Sequence, residues 1–166
     1  MRPDGAYPSQ GRIENGVHVF PVRVYYEDTD AGGVVYYANY LKFAERARTE
    51  LLRMIGYAHS DMIRRDGLSF AVRRCEADYL KPAIFDDTLE VHTGNIDMEA
   101  ASLWMDQGIR RDGIELASLR IRLACLADGG RPVRLPEGLK SSLKQFSLAT
   151  AGALSSGTGP KEKERV

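Results

Sequence analysis

The sequence predicts an α+β domain in which an antiparallel sheet of about five strands curls around one long helix. Three observations lead to this prediction. One strand-like segment precedes a long helical segment, four strand-like segments follow it, and short turns join those four. Short turns favour antiparallel pairing, because two parallel strands need a crossover of a dozen or more residues. The helix would cover the inner face of the sheet.

The first half of the chain carries the strand and the helix. His18–Glu27 is rich in β-branched and aromatic residues, which predicts a strand. We predict the long helix over Tyr40–Ile55, with Asn39 as its cap and Gly56 as its stop. Its apolar residues recur every three or four positions: Tyr40, Ala44, Ala47, Leu51 and Ile55. A short helix is predicted over His59–Arg65.

The second half reads as strands. They are predicted at Leu68–Leu80, Thr88–Asp97, Ala100–Arg110 and Ile114–Leu126, and a short helix at Pro136–Phe146. In the first of these strands the apolar phase shifts between Val72 and Cys75, which predicts a bulge. Asp112-Gly113 predicts a tight hairpin. We assign residues 1–16 to a flexible leader, 17–147 to the folded domain and 148–166 to a disordered tail.

Composition excludes several classes of function. Basic and acidic residues number 23 each, so no net charge attracts nucleic acid. No apolar run reaches the roughly 20 residues that span a bilayer. The first residues lack the apolar core of a secretory signal, and Cys75 and Cys125 make neither a disulfide framework nor a metal cluster. We therefore expect a cytoplasmic protein that needs no metal or other cofactor.

The polar loop before the long helix is the strongest candidate site. Asp28 and Asp30 lie at a strand end beside Gly32 and Gly33. Asp-Ala-Gly-Gly is also good turn sequence, and spacing does not separate the two aspartates. A calcium loop is disfavoured, because its twelfth position would be Asn39 and no helix precedes it. From the residues alone turn and capping chemistry is the commoner role of such aspartates, and the alternative is a carboxylate nucleophile or general base near backbone N–H groups.

Other residues give weaker indications of a functional site. The tyrosines beyond the glycines, such as Tyr37, are typical of packing. Glu45 is expected at the surface, paired within the helix with Thr49 or Lys42. The chain has no Gly-x-Ser-x-Gly elbow, P-loop or dinucleotide fingerprint.

The central run Val24-Tyr-Tyr-Glu-Asp-Thr-Asp-Ala-Gly-Gly-Val-Val-Tyr-Tyr-Ala-Asn-Tyr-Leu-Lys-Phe-Ala-Glu-Arg-Ala-Arg-Thr-Glu50 resembles the signature of the Tol-Pal-associated acyl-CoA thioesterases. These belong to the 4-hydroxybenzoyl-CoA thioesterase branch of the hotdog-fold superfamily. Phe70-Ala-Val-Arg-Arg74 and Tyr79-Leu-Lys-Pro-Ala83 match as well. The resemblance covers residues 20–146. It implies a hotdog fold and a homo-oligomer, either a dimer or a homotetramer.

The resemblance also implies a chemistry. The family's catalytic aspartate falls on Asp30, and Tyr37 stands where many members carry histidine. Gly33, Phe70, Val72 and Arg73 are then expected to bind substrate, with the Phe70–Val72 strand reaching the site from a partner chain. The implied reaction is hydrolysis of a small-to-medium acyl-CoA. The alternatives are an acyl carrier protein as the substrate's carrier, or a non-catalytic thioester-binding or envelope-linked scaffold.

Overall fold

The computed structural model describes residues 9–155. In chain order this part contains β1 (Arg12–Glu14), β2 (Val17–Arg23), α1 (Tyr37–Met54), α2 (His59–Asp66), β3 (Ser69–Tyr79), β4 (Thr88–Met98), β5 (Ser102–Arg111), β6 (Ile114–Leu126) and α3 (Glu137–Ser155). Single 3₁₀ turns lie at Tyr26–Asp28 and Asp128–Gly130. Within this range we find no helix both long and apolar enough to cross a bilayer.

The strands form one six-stranded sheet in the order β1-β2-β4-β5-β6-β3, and every neighbouring pair is antiparallel. Helix α1 packs across β2, β4 and β5. The predicted α+β architecture is therefore confirmed, with one strand more than expected. The predicted apolar stripe of α1 is buried as far as Leu51, and Phe43 adds a fully buried ring to it. Burying this face against the inner side of the sheet supplies the main apolar contribution to stability.

The junction between the first strand and α1 differs from the prediction. Strand β2 ends at Arg23 rather than Glu27, and α1 begins at Tyr37 rather than Tyr40. Asn39 does not cap the helix, because its side-chain amide donates instead to the backbone oxygen of Asp28, at 2.8 Å. This bond ties the loop to the first turn of α1.

Two local predictions about the sheet are confirmed. The register between β3 and β6 shifts between Val72 and Arg74, so Arg73 occupies the predicted bulge. Asp112 and Gly113 both have positive φ, 51° and 77°, as the tight two-residue turn between β5 and β6 requires. Strand β3 lies at one edge of the sheet and is largely exposed along its length.

The ends of the chain also differ from expectation. β1 falls within the residues assigned to the leader, where it pairs with β2 through Arg12 and Val19. At the other end α3 continues to Ser155, into the residues assigned to the tail. The rest of the predicted leader and tail, residues 1–8 and 156–166, lies outside the described residues.

Candidate active site

The acidic loop, residues 24–36, joins β2 to α1 and is closed by backbone pairing. Thr29 forms an isolated antiparallel bridge with Val35. The Asp30 N–H donates to the Val34 oxygen at 2.9 Å, and the Val35 N–H donates to the Ala83 oxygen at 2.8 Å. The loop is thus a narrow hairpin held against a neighbouring turn, which gives its polar residues fixed positions.

Asp28 anchors this loop from within. Its side chain is only 6% exposed, and its Oδ2 accepts a hydrogen bond from the Tyr25 N–H at 2.8 Å. Its backbone oxygen accepts from both the Asn39 side-chain amide and the Tyr36 N–H, at 2.8 and 2.9 Å. All these bonds link the loop to itself or to α1, so the carboxylate of Asp28 is committed to structure.

Asp30 lies in the opposite surroundings. It is exposed, and its Oδ1 accepts one hydrogen bond, from the Gly32 N–H at 2.8 Å. Among residues 9–147, whose side chains are described, we find no ion pair and no further side-chain hydrogen bond for it. The Gly33 N–H closes the turn onto the Asp30 backbone oxygen at 3.0 Å. One carboxylate oxygen is therefore oriented while the other remains open to a ligand.

Gly33 shapes the turn through its backbone. Its φ is +79°, a conformation that side-chain-bearing residues rarely adopt. A Cβ added there would meet nothing within 4 Å. The need for glycine at this position is therefore conformational and does not come from crowding.

Free backbone donors lie at the start of α1. No side chain caps the helix, and within the described residues the N–H groups of Tyr37 and Ala38 donate to no partner. The N–H groups of Gly32 and Gly33 are both used inside the turn. The helix start, rather than the glycine turn, therefore has the donors that a developing negative charge needs, and the helix dipole favours an anion there.

The three tyrosines after the glycines divide into two environments. Tyr40 is buried, and its hydroxyl accepts a hydrogen bond from the Ala83 N–H at 3.0 Å. Tyr37 is 60% exposed, with its ring centroid 4.7 Å from that of Tyr36 and 6.0 Å from that of Tyr79. Its hydroxyl hydrogen-bonds to Tyr36 and raises the pKa of that neighbour. Tyr37 lines an open cleft of about 230 Å³ together with Tyr79, Leu80 and Pro82.

The predicted residues of β3 lie elsewhere in the chain's own fold. Phe70 and Val72 line a partly open cavity of about 190 Å³ beneath α1, which we call the α1 cavity. Asp30 and Arg73 line neither this cavity nor the cleft at Tyr37. The structure thus places Asp30 and Gly33 in the acidic loop and Tyr37 at the start of α1, which follows that loop, whereas Phe70 and Val72 line the α1 cavity.

Sequence reasoning missed a buried charge in the α1 cavity. Arg48 is only 7% exposed and donates to Gln107 Oε1 at 2.9 Å. The Gln107 amide in turn donates to the Ala44 oxygen at 3.0 Å and to Thr93 Oγ1 at 2.9 Å. A signal was present, because position 48 is four residues after Ala44, within the apolar stripe. The expected pairing of Glu45 with Thr49 is confirmed by a 2.7 Å hydrogen bond.

Burial dominates the electrostatics of this cavity. It lowers the pKa of both Arg48 and His59, since each cation loses its hydration there. Glu45 opposes both shifts, while Arg48 reinforces that of His59. Elsewhere, in the part of the chain that is described, no cluster of three or more His, Cys, Asp or Glu could hold a metal.

Comparison with known proteins gives consistent results. Residues 24–143 match the model of the thioesterase-like superfamily. The chain is 40% identical over 131 residues to the acyl-CoA thioesterase YbgC of Haemophilus influenzae, covering 78% of this chain and 96% of that protein. It is 39% identical over 128 residues to the acyl-CoA thioester hydrolase YbgC of Escherichia coli O157:H7, covering 76% and 95%.

Solved structures agree with the fold. A probable thioesterase from Bartonella henselae superposes with a TM-score of 0.70 at 37% identity, over 72% of this chain and 99% of that one. A hypothetical protein from Thermus thermophilus gives a TM-score of 0.72 at 29% identity, over 77% and 98%. The hotdog fold expected from the resemblance is confirmed.

Proposed function

This chain belongs to the thioesterase-like superfamily, and from that premise we propose that it hydrolyses acyl-CoA thioesters with the carboxylate of Asp30. The class of reaction rests on relatives, about 40% identical across most of the chain, that are named acyl-CoA thioesterases. The assignment to Asp30 rests on one observation above all. Of the two aspartates that spacing left equal, Asp28 is only 6% exposed, whereas Asp30 presents its carboxylate to the solvent.

Two chemical routes use this carboxylate. In the first, an Asp30 oxygen attacks the thioester carbonyl carbon, the C–S bond breaks, and the thiolate leaves as CoA. Water then hydrolyses the resulting mixed anhydride to the free acid. In the second, Asp30 accepts a proton from a water molecule as that water attacks the same carbon; the C–S bond then breaks, and the thiolate leaves as CoA. Both routes need an exposed carboxylate with a fixed orientation. The hydrogen bond from the Gly32 N–H fixes the orientation of the Asp30 carboxylate.

The start of α1 complements either route. The tetrahedral intermediate carries negative charge on the former carbonyl oxygen, and preorganised N–H donors stabilise such an oxyanion. The unbonded N–H groups of Tyr37 and Ala38 are suited to that role. The exposed hydroxyl of Tyr37 lies at the same end of the helix and would help to place the carbonyl.

We propose further that the working enzyme is a homodimer, or a homotetramer of two such dimers. β3 is an edge strand of 11 residues, and an exposed edge of that length is normally covered. Val72 and Tyr79 are 52% and 44% exposed on it. Pairing of β3 with a partner would bring Phe70 and Val72 towards the partner's acidic loop, as the family resemblance implies. Sedimentation analysis that finds only monomers at assay concentration would contradict this arrangement.

The substrate is tested by measuring thiol release from acyl-CoA thioesters of increasing chain length, an aromatic acyl-CoA and an acyl carrier protein thioester. We expect hydrolysis of small-to-medium acyl-CoA. Asp30→Asn should lower kcat about 10²–10⁴-fold. Glu27→Gln, a change to another exposed acid of the loop, should leave kcat near wild type. Faster release from the carrier protein would identify that thioester as the substrate instead, and binding without release would indicate a scaffold.

The two routes are separated by chemical trapping. A single turnover quenched with borohydride would reduce an anhydride at Asp30, which mass spectrometry would detect as homoserine. Homoserine at position 30 would establish the nucleophilic route, and its absence would favour the general-base route. A cytoplasmic location and an association with the Tol-Pal envelope system stay predictions of the family resemblance.

A further inference from the structure

The α1 cavity contains an unusual feature, a guanidinium that is buried without a carboxylate partner. Arg48 is 7% exposed, and within residues 9–147, whose side chains are described, its only hydrogen-bond partner is the neutral amide of Gln107. No ion pair with Arg48 occurs in that range. Buried arginines are normally paired with an anion, because removing a charge from water is costly. An anionic ligand would therefore give the buried charge of Arg48 the partner that the described part of the chain does not supply.

The remaining donors of Arg48 face open space. The guanidinium has five N–H groups, and Gln107 uses one nitrogen. None of the Arg48 nitrogens is among the fully buried polar atoms that lack a partner. Since Arg48 lines the α1 cavity, the open space beside its free donors is that cavity. His59 lines it too, and its Nε2 is buried without a partner.

The rest of the wall is apolar. Leucine, methionine, valine and phenylalanine side chains from α1, three strands and α3 complete it: Leu52, Phe70, Met105, Leu123 and Leu143 among them. A dry cavity of about 150 Å³ can hold a benzene ring. A volume of about 190 Å³ therefore suits a ring or a chain of about six carbons. The cavity thus combines an apolar body with a single cationic head.

Glu45 is the one anionic residue of the lining. Its side chain is exposed, and its carboxylate accepts the Thr49 hydroxyl at 2.7 Å. Water screens its effect on a ligand, whereas the buried Arg48 acts where screening is weak. His59 adds no positive charge near neutral pH, because burial lowers its pKa. The net field inside the cavity is therefore that of Arg48.

We propose that the α1 cavity binds a carboxylic acid with a small apolar body, whose carboxylate pairs with Arg48 and whose chain or ring packs among the apolar residues. A guanidinium matches a carboxylate with two parallel hydrogen bonds, which an alcohol or an ammonium cannot form. This goes beyond the hydrolysis proposed above, because binding requires neither turnover nor Asp30. A free acid is also the class of product that thioester hydrolysis releases.

The test uses calorimetric titration of the full chain with hexanoate, 1-hexanol and hexylammonium. We expect one hexanoate per chain, bound at least tenfold more tightly than hexanol, and no detectable binding of the ammonium. Arg48→Met should weaken hexanoate at least tenfold. Arg46→Met, which removes an exposed arginine from the same helix, should not. Thermal unfolding of each variant checks that it is folded.

Two further measurements test the proposal independently of the Arg48→Met variant. If Arg48→Met does not fold, the ligand series on the wild type decides alone, together with amide chemical shifts. Hexanoate should shift the amide signals of Met105 and Leu123 and leave Gly32 unaffected. Asp30→Asn should bind hexanoate like the wild type, so a failure of the catalytic proposal is distinguishable. Equal binding of hexanoate and hexanol, no binding of either, or shifts confined to the acidic loop would overturn the assignment.

Discussion

The two halves of the acidic loop show opposite uses of the same residue type. In the anchoring half, residues 25–28, the carboxylate of Asp28 is buried and bonded to the Tyr25 N–H. In the open half, residues 30–33, the carboxylate of Asp30 is exposed and holds a single bond to the Gly32 N–H. One aspartate fixes the loop against α1, and the other is presented by the loop that the first one fixes.

This difference separates stability from chemistry within a few residues. A buried acceptor cannot be removed without leaving its donors unsatisfied, which costs folding free energy. An exposed carboxylate can be replaced with little cost to folding, so the loss falls on function. Substitutions in the anchoring half should therefore mainly change the free energy of unfolding, and those beside Asp30 should mainly change kcat.

The largest change in stability is expected for Asp28→Ala. It leaves the Tyr25 N–H without its acceptor, which should lower the free energy of unfolding by about 1–3 kcal/mol. Denaturant unfolding measures this directly. Asp28→Asn is the matched control, because its side-chain oxygen can still accept the bond and should recover much of the loss. Equal stability of Asp28→Ala and the wild type would remove the distinction between the two halves.

Lowering the pH should destabilise the folded protein through histidines that lie outside both halves of the acidic loop. Burial lowers the pKa of His18 and of His59, so the unfolded chain takes up protons that the folded chain does not. Stability is then complete above the unfolded value near 6.5 and falls as pH drops below it, by at most about 1.4 kcal/mol per pH unit for each histidine. Denaturant unfolding between pH 7.5 and 5 measures the slope.

His18→Gln and His59→Gln should each make that slope shallower. His18 is the more buried of the two, although its hydrogen bond to the Gln10 oxygen and the charge of Glu50 oppose the shift. A slope unchanged in both variants would assign the acid sensitivity to other groups.

The smallest changes are expected at the two glycines of the open half. Gly33→Ala forces a residue with a Cβ to φ +79°, which should cost about 1 kcal/mol of stability. Gly32→Ala places its Cβ 3.1 Å from Asp30 Oδ1, so it should displace the carboxylate and lower kcat while changing stability less. Measuring kcat and the free energy of unfolding for both variants checks this difference. A larger loss of stability in Gly32→Ala than in Gly33→Ala would contradict it.

Much of the fold could be predicted from pattern alone. The alternation along the strands and the three-four spacing in α1 reflect which side chains are buried, and burial largely determines such a fold. The bulge at Arg73 was visible because an inserted residue reverses the phase of a strand. The ends of β2 and α1 were not predicted correctly, since contacts at this junction, such as the Asn39-to-Asp28 bond, join residues eleven positions apart.

The candidate site was only partly predictable for a similar reason. Asp28 and Asp30 have the same chemistry and similar neighbours in the sequence, and only the folded loop shows which carboxylate is buried. Arg48 was assigned to no site because a charged residue on a helix is usually solvated. Its burial depends on Gln107, which arrives from β5, 59 positions along the chain.

The most direct test of the account compares Asp30→Asn with Asp28→Asn, each measured for both thiol release and denaturant unfolding. We predict that Asp30→Asn unfolds like the wild type and loses about 10²–10⁴-fold in kcat. Asp28→Asn should be the less stable of the two and retain the greater activity per folded molecule. An Asp30→Asn protein that is folded and hydrolyses acyl-CoA at the wild-type rate would contradict the assignment of the chemistry to Asp30.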